Sequence, residues 1–89
     1  MLHELKIREN FADDIVFNEK NFEIRFNDRG YQKGDKIRFT AIDSLDCECI
    51  GHPINKMLFK ITYVLSGWGL KENYVALSIV QDVGGDRCN

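Results

Sequence analysis

The amino-acid sequence predicts a small α+β domain, mainly β, in which about five strands curl into a barrel with one N-terminal helix. Three observations lead to this prediction. The 89 residues suffice for one domain, and 44% of them are hydrophobic, as in globular proteins. Apolar residues recur at every second position through much of the chain. Turn signals recur about every eight to twelve residues, which favours a closed β structure over an open α/β layer.

The N-terminal segment alternates like a short strand and then leads into a helix. His3, Leu5 and Ile7 share one face of this first strand, and the residues between them share the other. We expect the helix to have Asn10 as its N-cap, because apolar residues then recur four positions apart. We expect Asn18 to end the helix in the left-handed conformation, the role that glycine usually takes.

The second strand begins where the apolar period changes to two. Its apolar stripe is expected to face the core and consists of Phe22, Ile24 and Phe26. Glu23 and Arg25 then share the opposite, polar face, with their Cα atoms about 6.5 Å apart. Turn signals follow at residues 27–30 and 33–35.

Three further strands complete the predicted barrel. The remaining elements are a third strand at 36–41, a loop at 43–53, a fourth strand at 54–65 and a fifth at 74–80. The residues of the fourth strand that we expect on one side are Met57, Phe59, Ile61, Tyr63 and Leu65. Residues 82–89 contain little to bury, so we assign 1–81 to the domain and 82–89 to a flexible tail.

The charge distribution narrows the class of protein. A net charge of −2 argues against a general polyanion binder. Residues 20–38 nevertheless carry six basic and three acidic side chains, so this segment is at +3 and the remainder at −5. Neither an apolar run of about 20 residues nor a signal peptide is visible, so we expect a cytoplasmic protein without a membrane span.

No metal or cofactor is expected. The three cysteines are most simply reduced thiols of a cytosolic protein, and a zinc site is the less favoured alternative. The ligands of such a site would be Cys47, Cys49, His52 and Cys88. The sequence contains no phosphate loop, no glycine fingerprint for dinucleotides and no Ser-His-Asp order.

The strongest candidate site consists of Lys20, Glu23 and Arg25. Two bases that flank an acid can bind a phosphate, while the acid accepts a hydrogen bond from an exocyclic amine of a base. On the residue types alone, the favoured interpretation is an exposed salt bridge, worth about 0–1 kcal/mol and without function. The residue types alone leave both interpretations open.

Several segments of the chain carry a family resemblance. They are residues 3–7, 20–25, 27–29, 34–35 and 69–77, in order over 2 to about 80. They resemble the small ASCH-superfamily proteins catalogued as domain of unknown function 3850, which phages and bacterial mobile elements commonly encode. The ASCH pattern G-x-K-x-x-E-x-R is matched by Lys20, Glu23 and Arg25, with Asn18 in place of the glycine.

The resemblance implies a PUA-like β-barrel with a cleft near the motif that binds RNA or modified nucleosides and nucleotides. Some ASCH-like proteins are amidohydrolases of acylated cytidine nucleosides, with a lysine where Lys20 lies and a threonine nucleophile where Glu23 lies. The glutamate here weakens that interpretation. We therefore expect a binding module rather than an enzyme. The alternatives are a small amidohydrolase using Lys20 and Glu23, and a phage-encoded protein-interaction module.

Other residues are candidates for the site. A positive rim for phosphates is expected from Arg29, Lys33, Lys36 and Arg38. His3 is either a core histidine or part of the cleft floor. Tyr31 is expected to be an exposed stacking residue. Trp68 either stacks on a base or plugs one end of the barrel, and His52 is expected to be exposed and without a role.

Overall fold

A computed structural model of the chain describes residues 1–83 as a five-stranded sheet that curls into a half-barrel. The elements are β1 (Leu2–Arg8), α1 (Glu9–Val16), β2 (Phe22–Phe26), β3 (Lys36–Ile42), a 3-10 helix (Pro53–Lys56), β4 (Leu58–Ser66) and β5 (Tyr74–Gln81). The mainly-β class, the five strands and the single helix after β1 agree with the prediction.

The strand order leaves the first two strands at the two edges of the sheet. The order is β1-β3-β4-β5-β2. β1 pairs with β3 in parallel, with Leu2 opposite Lys36 and Arg8 opposite Ile42, while the other neighbours are antiparallel. A parallel pair needs a long crossover connection. Here α1 and β2 lie within that crossover, so β2 is carried to the far edge.

The core lies on the concave face of the sheet. The inward-facing apolar residues of the strands are Leu5, Ile7, Ile37, Phe39, Ala41, Phe59, Ile61, Val75, Leu77 and Ile79. Ala12 and Ile15 of α1 and Ile54 of the 3-10 helix are also buried there. α1 packs against β1, β3 and the 3-10 helix. The helices therefore close one side of the half-barrel only.

The helix begins earlier than the sequence predicts. Arg8 occupies the N-cap position and makes no side-chain capping bond, so the prediction of Asn10 as N-cap is wrong. β1 runs into α1 without a loop, and the pairing of Arg8 with Ile42 sets the position where the chain turns. Asn18 has φ of 65°, as predicted for the left-handed residue after the helix.

A β-bulge changes which side chains of β4 face the core. The register with β5 shifts between Ile61 and Tyr63. An extra residue in one strand of a pair moves every following side chain to the other face. Tyr63 is consequently 58% exposed, while Val64 packs against the core. The prediction that Tyr63 and Leu65 continue the inward stripe is wrong, and the 3-10 helix replaces the first residues predicted as strand.

The start of the predicted tail is held against the sheet. The Lys36 ammonium donates to the Asp82 carboxylate, and the Asp82 amide donates to the Leu58 carbonyl at 2.7 Å. Residues 84–89 of the predicted tail, Cys88 among them, lie outside the described residues. Within residues 1–83, no helix has the length and apolar character needed to cross a membrane.

Candidate functional site

β2 lies in the sheet with its polar side chains inward, opposite to the prediction. Glu23 is 5% exposed, whereas Ile24 is 51% exposed. The register explains this, because Glu23 is opposite the buried Leu77 and side chains of paired residues share a face. The outward stripe consists of Phe22, Ile24 and Phe26, so the prediction that this stripe faces the core is wrong.

The buried carboxylate of Glu23 is held by two cationic side chains. Lys20 Nζ donates to Oε2 at 2.5 Å, and Arg25 Nε donates to Oε1 at 3.1 Å. An ionised carboxylate is costly to bury without such partners. The alternation of apolar residues carries no information about these partners, which is why it predicted the wrong face for β2.

Lys20 is positioned by the turn that follows α1. The left-handed conformation of Asn18 reverses the chain, and the amide of Lys20 then donates to the Asp14 carbonyl at 3.0 Å. Lys20 Nζ also donates to the Phe22 carbonyl at 2.6 Å. It lies 4.8 Å from the centre of the Phe22 ring and 5.3 Å from that of Phe11. These contacts fix the ammonium beside Glu23.

Arg25 connects the two edge strands of the half-barrel. Its Nη2 donates to the carbonyl oxygen of Lys6 in β1 at 2.7 Å. That carbonyl belongs to an edge strand, so the contact satisfies an acceptor that strand pairing leaves free. The Arg25 side chain thus spans the gap between β1 and β2.

A cleft of about 310 Å³ lies at this gap. It is lined by Lys6, Ile7, Arg8, Phe11, Glu23, Ile24, Arg25, Phe26, Ile42 and Tyr74. Three of these side chains are cationic and one is anionic, so the lining is net positive although the chain is at −2. The other walls are apolar or aromatic. Such a cleft can bind an anionic group and a flat apolar ring together.

The cleft retains unused hydrogen-bond donors. Among residues 1–83, no partner contacts Arg25 Nη1 or Lys6 Nζ. Arg8 donates from Nη1 to the Ser44 carbonyl at 3.2 Å. Guanidinium and ammonium groups with free N–H donors are the usual partners of phosphate oxygens.

The four residues predicted as a positive rim do not line the cleft. Arg29 lies in the loop after β2, 3.9 Å from Asp28. Lys36 is paired with Asp82, and Arg38 is exposed on the outer face of β3. Lys33 is exposed in the turn before β3. The structure therefore separates these residues from the motif, and the cations that it places there are Lys6 and Arg8.

His3 is a core histidine. Its ring is 3% exposed and lies 4.8 Å from the Tyr31 ring. A hydrogen bond of 2.8 Å joins His3 Nε2 to Asp35 Oδ2, and this bond is the main cause that lowers the pKa of Asp35. The Gln32 amide also donates to Asp35. This cluster fixes the turn that leads into β3.

The two predicted stacking residues have opposite environments. Tyr31 is 5% exposed, so the prediction that it is an exposed stacking residue is wrong, and burial is the largest cause that raises the pKa of its phenol. Trp68 is 90% exposed and does not plug the barrel. Gly67, Trp68 and Gly69 all have positive φ, at 75°, 55° and 90°. This loop presents the indole to solvent.

The side chain of His52 is largely covered and bonded, so the prediction that His52 is exposed and without a role is wrong. Its side chain is 8% exposed. Nδ1 accepts from the Ile54 amide at 3.1 Å, and Nε2 bonds to Asp13 Oδ1 at 2.7 Å. His52 therefore caps the 3-10 helix and ties it to α1.

The described part of the chain offers no metal site. Within residues 1–83, no group of three His, Cys, Asp or Glu side chains is arranged to hold an ion. Cys47 and Cys49 are free thiols exposed in the loop after β3. The remaining candidate ligand, Cys88, is not among the described residues.

Lys6 and Arg8 are the site residues that sequence reasoning missed. Their signal was the alternation of β1, which puts both on the face opposite Ile7. Alternation alone does not indicate which strand lies beside β1. Only the strand order, with β1 and β2 at opposite edges of a curled sheet, brings these residues to Glu23.

These features define a class of protein: an open five-stranded half-barrel with a positively charged cleft between its edge strands. The chain belongs to the family described as domain of unknown function (DUF3850), whose model matches residues 2–79. Comparison with curated proteins gives no match.

The fold is also found in a solved structure. The crystal structure of hypothetical protein PH0355 is similar with a TM-score of 0.59 at 18% sequence identity. The similarity covers 91% of this chain and 99% of that one. At this level of identity the likeness concerns the arrangement of the elements alone.

Proposed function

We propose that this protein is an ASCH/PUA-like cytosolic module that binds RNA or nucleotides in the cleft between β1 and β2. The observation that carries the proposal is the inward-facing Glu23, held between Lys20 and Arg25 in a net positive cleft. A solvent-exposed salt bridge would need neither burial nor a cleft. The matching residues of the ASCH pattern and the half-barrel fold support the same interpretation.

The cleft offers a partner for each part of a nucleotide. Arg25 Nη1 and the Lys6 ammonium can donate to phosphate oxygens. Each oxygen of Glu23 accepts one hydrogen bond within the protein, which leaves a lone pair on each for an exocyclic amine of a base. Phe26 and Tyr74, whose rings are 5.6 Å apart, supply an aromatic wall.

The size of the cleft fits a small ligand. A volume of about 310 Å³ lies at the lower end of the range for small-molecule sites. With three cations in the lining, a bound strand can pair only a few of its phosphates here. We therefore expect weak binding with a shallow salt dependence.

The chemistry of the lining favours binding over hydrolysis. The lining contains no serine, threonine or cysteine that could act as a nucleophile. Lys20 Nζ, the base that an amidohydrolase would need, already donates to Glu23 and to the Phe22 carbonyl. The amidohydrolase alternative would therefore depend on an activated water.

The test is a fluorescence-anisotropy titration of a labelled single-stranded RNA at two salt concentrations. Lys6→Ala removes a cleft cation whose ammonium makes no hydrogen bond or ion pair within residues 1–83, and Lys33→Ala removes an exposed cation outside the cleft. We expect Lys6→Ala to weaken binding and to reduce the salt slope by about 0.7, while Lys33→Ala changes neither. Lys20→Ala/Arg25→Ala should abolish binding. Equal effects of Lys6→Ala and Lys33→Ala would contradict the proposal.

A further inference from the structure

The outer side of β2, β5 and β4 presents an apolar surface to solvent. We define the outer apolar face by Phe22, Ile24, Phe26, Tyr63, Leu65 and Val80. Six of the ten aromatic side chains of the chain are exposed, and three of them belong to this face. A contiguous exposed apolar surface of this kind marks an interaction site. α1 packs on β1 and β3, so no helix of residues 1–83 covers this face.

The register shapes this face into a shallow trough along β5. Phe22 and Tyr63 both lie opposite Ser78, one on each side. Ile24 and Leu65 flank Ala76 in the same way. The floor of the trough therefore has small side chains at Ala76 and Ser78 of β5. Its two ridges, on β2 and β4, are two strand spacings apart, which is about 10 Å. Flat rings can lie against either ridge.

Several cations lie beside the trough. The residues of β2, β4 and β5 include one acid, Glu23, and it points inward. Lys60 lies on the outer side opposite Val80. Lys20 Nζ is 4.8 Å from the Phe22 ring centre, and Lys71 Nζ is 5.9 Å from that of Tyr74. Asp82, after the end of β5, is paired with Lys36, which lies opposite Lys60. Cations beside exposed aromatic side chains fit a polyanion with apolar rings.

The trough is continuous with the cleft. Ile24 and Phe26 belong to the outer apolar face and also line the cleft, as does Tyr74 at the start of β5. A chain that leaves the cleft over β2 reaches the trough without crossing a polar barrier. The two surfaces can therefore bind successive parts of one ligand.

We propose that the outer apolar face binds additional bases of a single strand whose first nucleotide occupies the cleft. The inference rests on the proposed function and extends it, because the ligand becomes a single-stranded nucleic acid of several nucleotides. Aromatic side chains on neighbouring strands of an exposed sheet stack bases, and adjacent cations pair with phosphates. A second copy of this chain fits less well, because the continuity of the face with the cleft would have no role in such a dimer.

The experiment compares AMP with single-stranded hexa-adenylate by calorimetric or anisotropy titration. The measured quantity is the ratio of the two dissociation constants in each variant. Tyr63→Ala removes a ring from the face on the strand farthest from the cleft. Phe17→Ala is the matched control, because Phe17 is an exposed aromatic residue outside the sheet. We expect wild type to bind hexa-adenylate more tightly than AMP, and Tyr63→Ala to reduce that advantage about five- to tenfold. Phe17→Ala should retain it.

The outcomes separate this inference from the proposed function. If AMP and hexa-adenylate bind equally well, the cleft binds nucleotides but the face does not, and this inference is overturned. The inference is likewise overturned if Tyr63→Ala and Phe17→Ala change the ratio of the two dissociation constants equally. If hexa-adenylate binding depends on Tyr63 but not on Lys6, the face is a nucleic-acid site and the proposed cleft is wrong. If neither ligand binds wild type, both proposals fail.

Discussion

The guanidinium of Arg25 in β2 donates from Nη2 to the carbonyl oxygen of Lys6 in β1 at 2.7 Å, across the open side of the half-barrel. The two strands are at opposite edges of one sheet, separated by three others. A single side chain thus joins the edges and, through Nε, also holds the buried Glu23. Stability and the proposed ligand site therefore depend on the same residue.

Arg25→Ala should lower the free energy of unfolding by about 1–3 kcal/mol. The substitution leaves the Lys6 carbonyl without its donor and leaves Glu23 with Lys20 alone. Urea unfolding measures the change, with Lys33→Ala as a control that should stay within about 0.5 kcal/mol of wild type. A loss equal to that of the control would mean that the strand edges are not joined through Arg25.

Lys20 and Glu23 should be energetically coupled. A double-mutant cycle with Lys20→Met and Glu23→Gln should give a coupling of about 1–3 kcal/mol, because the carboxylate is buried and charge-assisted bonds are strong. The exposed pair of Arg29 and Asp28, 3.9 Å apart, provides the matched cycle and should give about 0–0.5 kcal/mol. Similar couplings in the two cycles would contradict the burial of Glu23.

Asp35 should contribute to acid sensitivity. Its pKa is lowered in the folded protein, mainly by the hydrogen bond with His3. A depressed carboxyl pKa gives stability that is complete above the unfolded value and is lost as pH falls through the folded value. Asp35→Asn should therefore be less stable than wild type at neutral pH, and the difference should shrink as the pH is lowered below about 4.

Unfolding free energies measured from pH 2 to 7 give this comparison. Asp46→Asn, in the exposed loop after β3, is the control and should run parallel to wild type throughout. A constant difference between Asp35→Asn and wild type at all pH values would show that ionisation of Asp35 is not linked to folding.

His52→Ala should destabilise the protein by about 1–3 kcal/mol. The substitution removes the acceptor of the Ile54 amide and the partner of Asp13. His52→Asn should recover part of the loss, because asparagine is a good N-cap acceptor. Thermal unfolding of both variants provides the measurement. An alanine variant as stable as wild type would support the earlier expectation of an exposed, silent histidine.

Ile24→Ser should cost less than about 0.5 kcal/mol, because the side chain is half exposed on the outer face. Leu77→Ala, on the inner face of the neighbouring strand, should cost about 2–5 kcal/mol. Urea unfolding distinguishes the two. A large loss of unfolding free energy in Ile24→Ser would indicate that Ile24 faces the core, as the alternation alone predicts.

The face of β2 was the main error of sequence reasoning, and the reason is physical. The strand alternates clearly, so its existence was predictable, and so was the common face of Glu23 and Arg25. Which face is inward depends on the partners that those side chains meet. Lys20 and Arg25 compensate the buried carboxylate, and an apolar stripe can remain outside where a ligand or partner covers it.

The sequence by itself determined the class of fold, the five strands, the single helix, the left-handed Asn18 and the grouping of Lys20, Glu23 and Arg25. These depend on local periodicity, turn chemistry and spacing along the chain. Only the tertiary structure decided the inward orientation of β2, the bulge that turns Tyr63 outward and the meeting of Lys6 and Arg8 with the motif. These depend on strand order and on contacts between distant residues, about which the local apolar pattern carries no information.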